Sequence, residues 1–170
     1  MHLIDANILI TAHNTYYPTN RIPEFWSWVL SKAQAGLVKM PVEMIEEVQG
    51  GTGDAEKDLL FDWLQQEGVV DTLRLNEEVN PDHLQKVLDD GYGQNLTDVD
   101  LEKIGRDPFI MAYAMASAAD RHVVSNEISR PNAQGTNRKI PDICKQFGLN
   151  SCNAFGLIRQ LDFKTAWEAD

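Results

Sequence analysis

Short apolar runs alternate with longer amphipathic segments along the chain. The short runs, which are typical of buried strands, cover residues 2–5, 37–40, 69–75, 122–126 and 151–152. Helices are expected in the segments between them, of which 81–90 is polar and 97–104 exposed. These segments are 6–13, 22–36, 41–50, 54–67, 81–90, 97–104, 107–116, 140–147 and 153–161. This alternation predicts an α/β fold with a central, mostly parallel sheet of about four to five strands flanked by helices. We find no repeat or linker, so residues 1–170 are expected to form a single domain.

Two helices stand out in this pattern. The segment 107–116 is hydrophobic nearly all round, which predicts a central, buried helix. In the segment 22–36, Phe25 and Trp28 recur at core spacing, and Trp26 is expected on the exposed side. An exposed tryptophan would suit either stacking on a nucleic-acid base or a subunit interface.

Composition places the chain among ordinary globular proteins. It has 170 residues, of which 43% are hydrophobic and 24% charged. Since no apolar run reaches the length of a membrane span and the N-terminus does not resemble a signal peptide, we expect a cytoplasmic protein that does not bind membranes. Cys144 and Cys152 have no metal-ligand spacing and are expected to be reduced, partly buried thiols.

The net charge of −11 argues against non-specific binding to nucleic acid, but the charge is unevenly distributed. Residues 41–104 carry a net charge of −13, whereas residues 121–145 carry +3. The acidic half also fits a simple solvated helix surface. One face of the protein could therefore accept a polyanion while another repels it.

Acidic residues occur near the predicted strand ends. Asp5 follows the first apolar run, Glu46 and Glu47 lie in the helix after the second, Asp107 begins the buried helix, and Glu127 follows a later strand. Ligands of open α/β sheets bind at the carboxyl edge, so these side chains could converge there. Clustered carboxylates stay ionised only around cations, and oxygen ligands suit Mg²⁺ or Mn²⁺. Such sites hydrolyse phosphodiesters.

Most of these acids also fit structural roles. Asp107 suits a helix N-cap before Pro108, Glu46 and Glu47 suit a solvated helix face, and Glu127 suits a loop. Asp5 is the hardest to explain in this way, because it is enclosed by hydrophobic neighbours. Asp142 could approach the site, but after Pro141 it is expected to cap a helix.

The order of these motifs resembles that of PIN-domain proteins, small metal-dependent ribonucleases that include the VapC-like toxins of bacterial toxin–antitoxin pairs. Residues 5–10, DANILI, are similar to the family's opening motif, and residues 45–48, IEEV, to its glutamate-bearing helix. Residues 107–112, DPFIMA, and 123–127, VVSNE, resemble its later acidic motifs. The segments 140–144 and 152–155 resemble a less-studied branch of the family, so the similarity spans nearly the whole chain.

The resemblance implies an endoribonuclease that cleaves RNA to 5′-phosphate and 3′-hydroxyl ends. It maps the catalytic metal ligands onto Asp5, Glu47, Asp107 and Glu127, with Mg²⁺ or Mn²⁺ as cofactor. An antitoxin partner and possible homodimerisation follow from the same likeness. This chain has Glu127 where most members have Asp, which leaves one or two metal ions open, and the choice of Glu47 over Glu46 rests on alignment to Val48.

Six further residues are candidates for substrate binding. Asn7 is expected to orient Asp5 or bind a backbone group and to help bind the scissile phosphate, and Ser125 or Asn126 could supply a neutral oxygen. Arg130, Arg138 and Lys139 would flank the site and contact the RNA backbone, although they also suit ordinary loop charge.

Two other classes of function remain open. A catalytically degenerate binding module could act through a protein partner on the acidic half. A phosphatase with Asp5 as nucleophile would lack the usual second aspartate, since Asn7 occupies that place. A nucleotide-binding Rossmann domain is disfavoured because the chain has no glycine-rich phosphate loop.

Overall fold

The structure is a computed structural model that describes residues 1–50 and 59–165, and its centre is one parallel sheet. The strands are β1 (His2–Ile4), β2 (Val38–Lys39), β3 (His122–Val124) and β4 (Asn150–Cys152), in the order β2-β1-β3-β4. All three pairings are parallel. The carboxyl ends of the strands therefore lie along the same edge of the sheet.

Helices cover both faces of this sheet, which confirms the predicted α/β class. Their bounds are α1 (Ala6–Thr11), α2 (Pro23–Gln34), α3 (Val42–Gln49), α4 (Leu59–Leu64), α5 (Val69–Leu73), α6 (Pro81–Lys86), α7 (Asp98–Ile104), α8 (Asp107–Met115), α9 (Ile140–Phe147) and α10 (Ala154–Gln160). Wider turns of π type follow α1 and α6, at Ala12–Tyr16 and Val87–Tyr92. Residues 54–58 of the helix expected at 54–67 lie outside the described residues.

The hydrophobic core has two parts, one on each face of the sheet. Ile4 and Val124 face a cluster that includes α2 and α3, whereas Leu3 and Val123 face a cluster that includes α8 and α9. Consecutive strand residues are thus buried on opposite faces, as in parallel sheets covered by helices on both sides. Helix α8 is buried nearly all round, as its sequence predicted.

The strand expected at 69–75 is wrong, because α5 occupies most of this segment. Val69 and Leu73, four residues apart, are buried on one face of a helix, and Asp71 between them is exposed. The apolar residues at positions 69, 73 and 75 fit both the period of a strand and the period of a helix. The pattern alone could therefore not separate the two structures. Of the expected strand, one isolated parallel bridge remains, between Met40 and Arg74.

The expectation that Trp26 is exposed is also wrong. Its side chain is only 2% exposed, its ring packs edge-on against Trp63, and its Nε1 donates a hydrogen bond to the backbone oxygen of Tyr17. Helix α2 is covered on two sides, so a position adjacent to Phe25 is buried as well. Trp26 is therefore a core residue and cannot stack on a base.

Cys144 and Cys152 are free thiols, the first buried and the second partly buried, as expected.

None of the described helices combines the length and hydropathy needed to cross a bilayer.

Candidate functional site

Asp5 lies directly after β1, at the carboxyl edge of the sheet, and its side chain is 3% exposed. Its backbone N–H donates to the oxygen of Val124 on the neighbouring strand. Its Oδ2 accepts hydrogen bonds from Ser125 Oγ, at 2.8 Å, and from Asn7 Nδ2. The carboxylate is thus held in one orientation.

Asn7 is the centre of the hydrogen-bond network that fixes Asp5. Its Nδ2 also donates to Ser125 Oγ at 3.0 Å, and its Oδ1 accepts from the backbone N–H of Asn126 at 3.0 Å. The predicted orienting role of Asn7 is confirmed, while phosphate binding stays a prediction. Asn126 has a structural contact too, since its Oδ1 accepts from the N–H of Ala154 at the start of α10.

The two neighbouring glutamates of α3 have different surroundings. Glu46 forms an ion pair with Arg106, 2.7 Å between Oε2 and NH1. Glu47, in contrast, raises the pKa of both Asp5 and Asp107 by charge repulsion. Partial burial raises the pKa of Glu47, and the nearby Arg106 opposes this. The geometry therefore favours Glu47 as the acid that faces the site.

Asp107 is the first residue of α8, and the N-cap position belongs to Arg106. Neither residue makes a side-chain capping bond, so the N-cap interpretation of Asp107 is wrong. Within the described residues, no group hydrogen-bonds the Asp107 carboxylate. Burial, followed by repulsion from Asp5, Glu127 and Glu47, raises the pKa of Asp107 to about 8.

Glu127 lies three residues beyond β3 and is held by two contacts from the start of α9. Lys139 Nζ forms an ion pair with its Oε1, and the backbone N–H of Ile140 donates to its Oε2 at 2.8 Å. Glu127 nevertheless raises the pKa of Asp5 and of Asp107. Its charge thus reaches the same region as the other acids.

We call Asp5, Glu47, Asp107 and Glu127 the acidic cluster. Burial is the main reason why the pKa of Asp5 rises to about 6, and repulsion from Glu47 and Glu127 adds to it. Each of the four is thus coupled by charge to at least two others, so the predicted ligands lie within one another's electrostatic range. Carboxylates that repel one another in this way favour a bound cation.

In their present conformations, the side chains of the acidic cluster do not form a complete coordination sphere for a metal ion. In residues 1–50 and 59–165, no group of three or more acidic, histidine or cysteine side chains is arranged to hold a metal ion. Glu127 is turned toward Lys139, and Glu47 is exposed.

The basic residues expected to contact RNA are mostly engaged within the protein. Arg138 donates to the backbone oxygen of Gly91 and to Gln146 Oε1, each at 2.6 Å. Lys139 pairs with Glu127, whereas the Arg130 side chain is exposed. A contact between RNA and any of the three remains a prediction.

Asp142 does not cap α9, contrary to expectation. Its carboxylate accepts from Ser129 Oγ and from the backbone N–H of Arg130, at 2.7 Å for the latter. The N-cap position of α9 is Lys139, which makes no side-chain capping bond. Asp142 thus fixes the loop that follows Glu127 instead of the helix terminus.

Residues 2–165 match the family model described as a domain of unknown function, DUF4411. The chain belongs to the DUF4411 family. No curated protein matches it, and no solved structure does. The match extends from β1 to beyond α10, so the whole acidic cluster lies within the DUF4411 domain.

Sequence reasoning missed one polar residue at the site of this DUF4411 domain, Tyr92. Tyr92 ends the π turn after α6 and is 4% exposed, and its hydroxyl is buried without a hydrogen-bond partner among the described residues. Burial raises the pKa of Tyr92, and the charges of Asp107 and Glu127 raise it further. An unsatisfied buried hydroxyl costs about 1–3 kcal/mol, so its presence beside the acids needs a reason.

Proposed function

We propose that this protein is a metal-dependent endoribonuclease that hydrolyses RNA phosphodiester bonds with the acidic cluster as its catalytic and metal-binding site. One observation carries the proposal: Asp5 is buried and Asp107 is partly buried beside two further carboxylates, and Asp107 has neither a hydrogen bond nor an ion pair within the described residues. Buried carboxylates without a counterion are costly, and a cation at this place would remove the cost.

The chemistry of the donor set fits Mg²⁺ or Mn²⁺. All four groups are carboxylates, and carboxylate oxygens are preferred by hard divalent cations. Histidine and cysteine, which would favour zinc, do not occur among the four. A bound divalent cation would supply activation of water and stabilisation of the negative charge that develops on the phosphate.

The residues around Asp5 contribute rigidity to this proposed site. Asn7 and Ser125 hold the Asp5 carboxylate by two hydrogen bonds, so one ligand is positioned before any cation binds. Glu47 and Glu127 have longer side chains, which suits ligands that adjust to the ion. Asn7, Ser125 and Asn126 lie beside the cluster, which is where a scissile phosphate would sit.

The toxin role belongs to the same proposal and draws on the PIN-domain resemblance. In a toxin–antitoxin pair acting in the cytoplasm, an antitoxin would block the acidic cluster, for which a cationic side chain is the complementary group. Homodimerisation is proposed on the same basis.

Neutralising one glutamate of α3 at a time tests the proposal. We expect Glu47→Gln to reduce Mn²⁺-dependent cleavage of a fluorescent single-stranded RNA at least 100-fold, because it removes a ligand. Glu46→Gln is the matched control, since it changes the adjacent acid, which pairs with Arg106. Asp5→Asn should abolish cleavage, and circular dichroism should show that both variants remain folded.

Equal activity in the Glu47→Gln and Glu46→Gln variants would contradict the ligand assignment. Cleavage that persists undiminished in EDTA, or in the Asp5→Asn variant, would refute the metal-dependent reaction itself.

A second candidate is a catalytically degenerate binding module that acts through a protein partner. The ion pair between Glu127 and Lys139 favours it, because a protein cation already occupies one proposed metal ligand. Calorimetric titration with Mn²⁺ separates the two functions, since a module of this kind would show no binding at millimolar metal.

A further inference from the structure

A cavity of about 220 Å³ lies next to the acidic cluster, between the ends of β3 and β4 and the start of α9. Ser125 and Glu127 line it, and these residues also belong to the hydrogen-bond and charge network of Asp5. A molecule bound at the acidic cluster would therefore have this cavity as its immediate neighbour.

The volume of the cavity limits the size of the ligand that could enter it. Sites for whole drug-sized ligands enclose about 300–1,000 Å³, so this cavity is too small for a complete nucleotide. A cavity of about 150 Å³ admits benzene. The space thus suits one planar ring system.

The lining has the composition that a nucleobase requires. Val123, Ile140 and Pro141 are the apolar residues of the lining, of which Pro141 is partly exposed and the other two are fully buried. An apolar lining suits the face of an aromatic ring. Ser151 and Asn153 supply polar groups, which suit the ring's edge. Within the described residues, neither the Ser151 hydroxyl nor Asn153 Nδ2 has a hydrogen-bond partner, although Asn153 Oδ1 caps α10 by accepting from Gly156.

Charge disfavours a phosphate in the same space. Glu127, the one acid in the lining, is paired with Lys139. The Lys139 ammonium group is therefore not free to bind an anion. A neutral nucleobase needs no cationic partner in the cavity.

We propose that this cavity is a subsite for one unpaired nucleobase of the RNA strand, adjacent to the phosphate held at the acidic cluster. The inference rests on the proposed function, and it assigns the substrate class as single-stranded, because a paired base cannot turn into a pocket without leaving its helix. Ser151 and Asn153 read the edge of the base.

Cys152 gives a direct probe, because it is a partly buried free thiol among the residues that line the cavity. Alkylation by iodoacetamide is followed by mass spectrometry at alkaline pH, since burial raises the pKa of this thiol. We expect at least one of AMP, GMP, CMP and UMP at millimolar concentration to slow alkylation of Cys152 several-fold. The protein with Cys152→Ser reports any background reaction of buried Cys144.

Filling the cavity with a larger side chain provides a second test of the base subsite. Ser151→Leu occupies the space from the exposed strand β4 and should remove the protection by nucleotides while the protein remains folded. Ser27→Leu is the matched control, because Ser27 lines a separate groove with Trp26 and Trp63. In a cleavage assay, Ser151→Leu should raise KM for single-stranded RNA at least tenfold with a smaller change in kcat.

The outcomes distinguish the two proposals. No protection by any of the four nucleotides, or equal protection in Ser151→Leu, overturns the base subsite even where RNA is cleaved. Protection that Ser151→Leu removes, in a protein that cleaves no RNA, supports the base subsite and refutes the nuclease.

Discussion

Replacing Asp107 by asparagine should stabilise the metal-free protein at neutral pH. The pKa of Asp107 is about 8 in the folded protein and about 3.9 in an unfolded chain. Between these values the folded state binds more protons than the unfolded state, so the free energy of unfolding falls as pH rises. Asparagine keeps the shape of the side chain and carries no charge.

The size of the effect follows from the gap between the two pKa values. At pH 7 the unfolded carboxyl lies about three units above its pKa and the folded carboxyl is still protonated, which corresponds to about 4 kcal/mol at 1.36 kcal/mol per unit. A favourable interaction between a carboxylate at position 107 and the N-terminus of α8 would offset about 0.3–1 kcal/mol. The cost of burial and charge repulsion at Asp107 therefore outweighs this favourable interaction with the helix.

Urea unfolding in EDTA, measured at several pH values between 4 and 8, tests this reasoning. The difference between Asp107→Asn and the unchanged protein should be near zero at pH 4 and reach several kcal/mol at pH 7. Asp98→Asn is the matched control, since Asp98 is the exposed first residue of α7, and it should change stability by less than about 0.5 kcal/mol. Saturating Mn²⁺, at about 100 times Kd, should stabilise the unchanged protein by about 2.7 kcal/mol and Asp107→Asn by less.

Two results would refute the reasoning. Parallel stability curves for Asp107→Asn and the unchanged protein across this pH range would mean that the carboxyl bears no charge penalty. Equal stabilisation of both proteins by Mn²⁺ would place the ion elsewhere.

Three further variants test neighbouring features. Tyr92→Phe should leave stability unchanged or raise it by up to about 2 kcal/mol in chemical unfolding, because it removes a buried hydroxyl without a partner, and a large loss of stability would disprove that reading. Lys139→Gln should tighten Mn²⁺ binding several-fold by calorimetry, since it removes the cation that pairs with Glu127; unchanged affinity would exclude Glu127 as a ligand. Trp26→Ala should lower the free energy of unfolding by about 3–5 kcal/mol, and a change below 1 kcal/mol would contradict its burial in the core.

The position of β1 could be predicted from the sequence because burial on both faces leaves a clear pattern. Leu3 and Ile4 point to opposite faces and are both buried, so β1 reads as a continuous apolar run with Asp5 at its end. Since all strands are parallel, the position of Asp5 after β1 and of Ser125 after β3 follows directly. Their hydrogen bond is a consequence of this register.

The errors arose where tertiary contacts decide between two local patterns. The residues around Val69 fit a strand and a helix equally, and packing of α5 against α2 and β2 selects the helix. Trp26 is buried by contacts with Trp63 that no local period contains. Tyr92 escaped notice because its neighbours Asp107 and Glu127 are distant in sequence, and its glycine-flanked position resembles an ordinary loop.

The acidic cluster is neutralised unevenly, and this imbalance indicates where a cation would be stabilised most. Lys139 pairs with Glu127, and Arg106 opposes the burial that raises the pKa of Glu47, so the two longer acids at the margin already have counter-charges. Asp5 has hydrogen bonds without a cationic partner, and Asp107 has only the more distant charge of Lys139. Because an uncompensated charge costs most where burial is deepest, the gain from a divalent ion concentrates at Asp5 and Asp107. The marginal glutamates would then adjust to an ion whose position the two aspartates define.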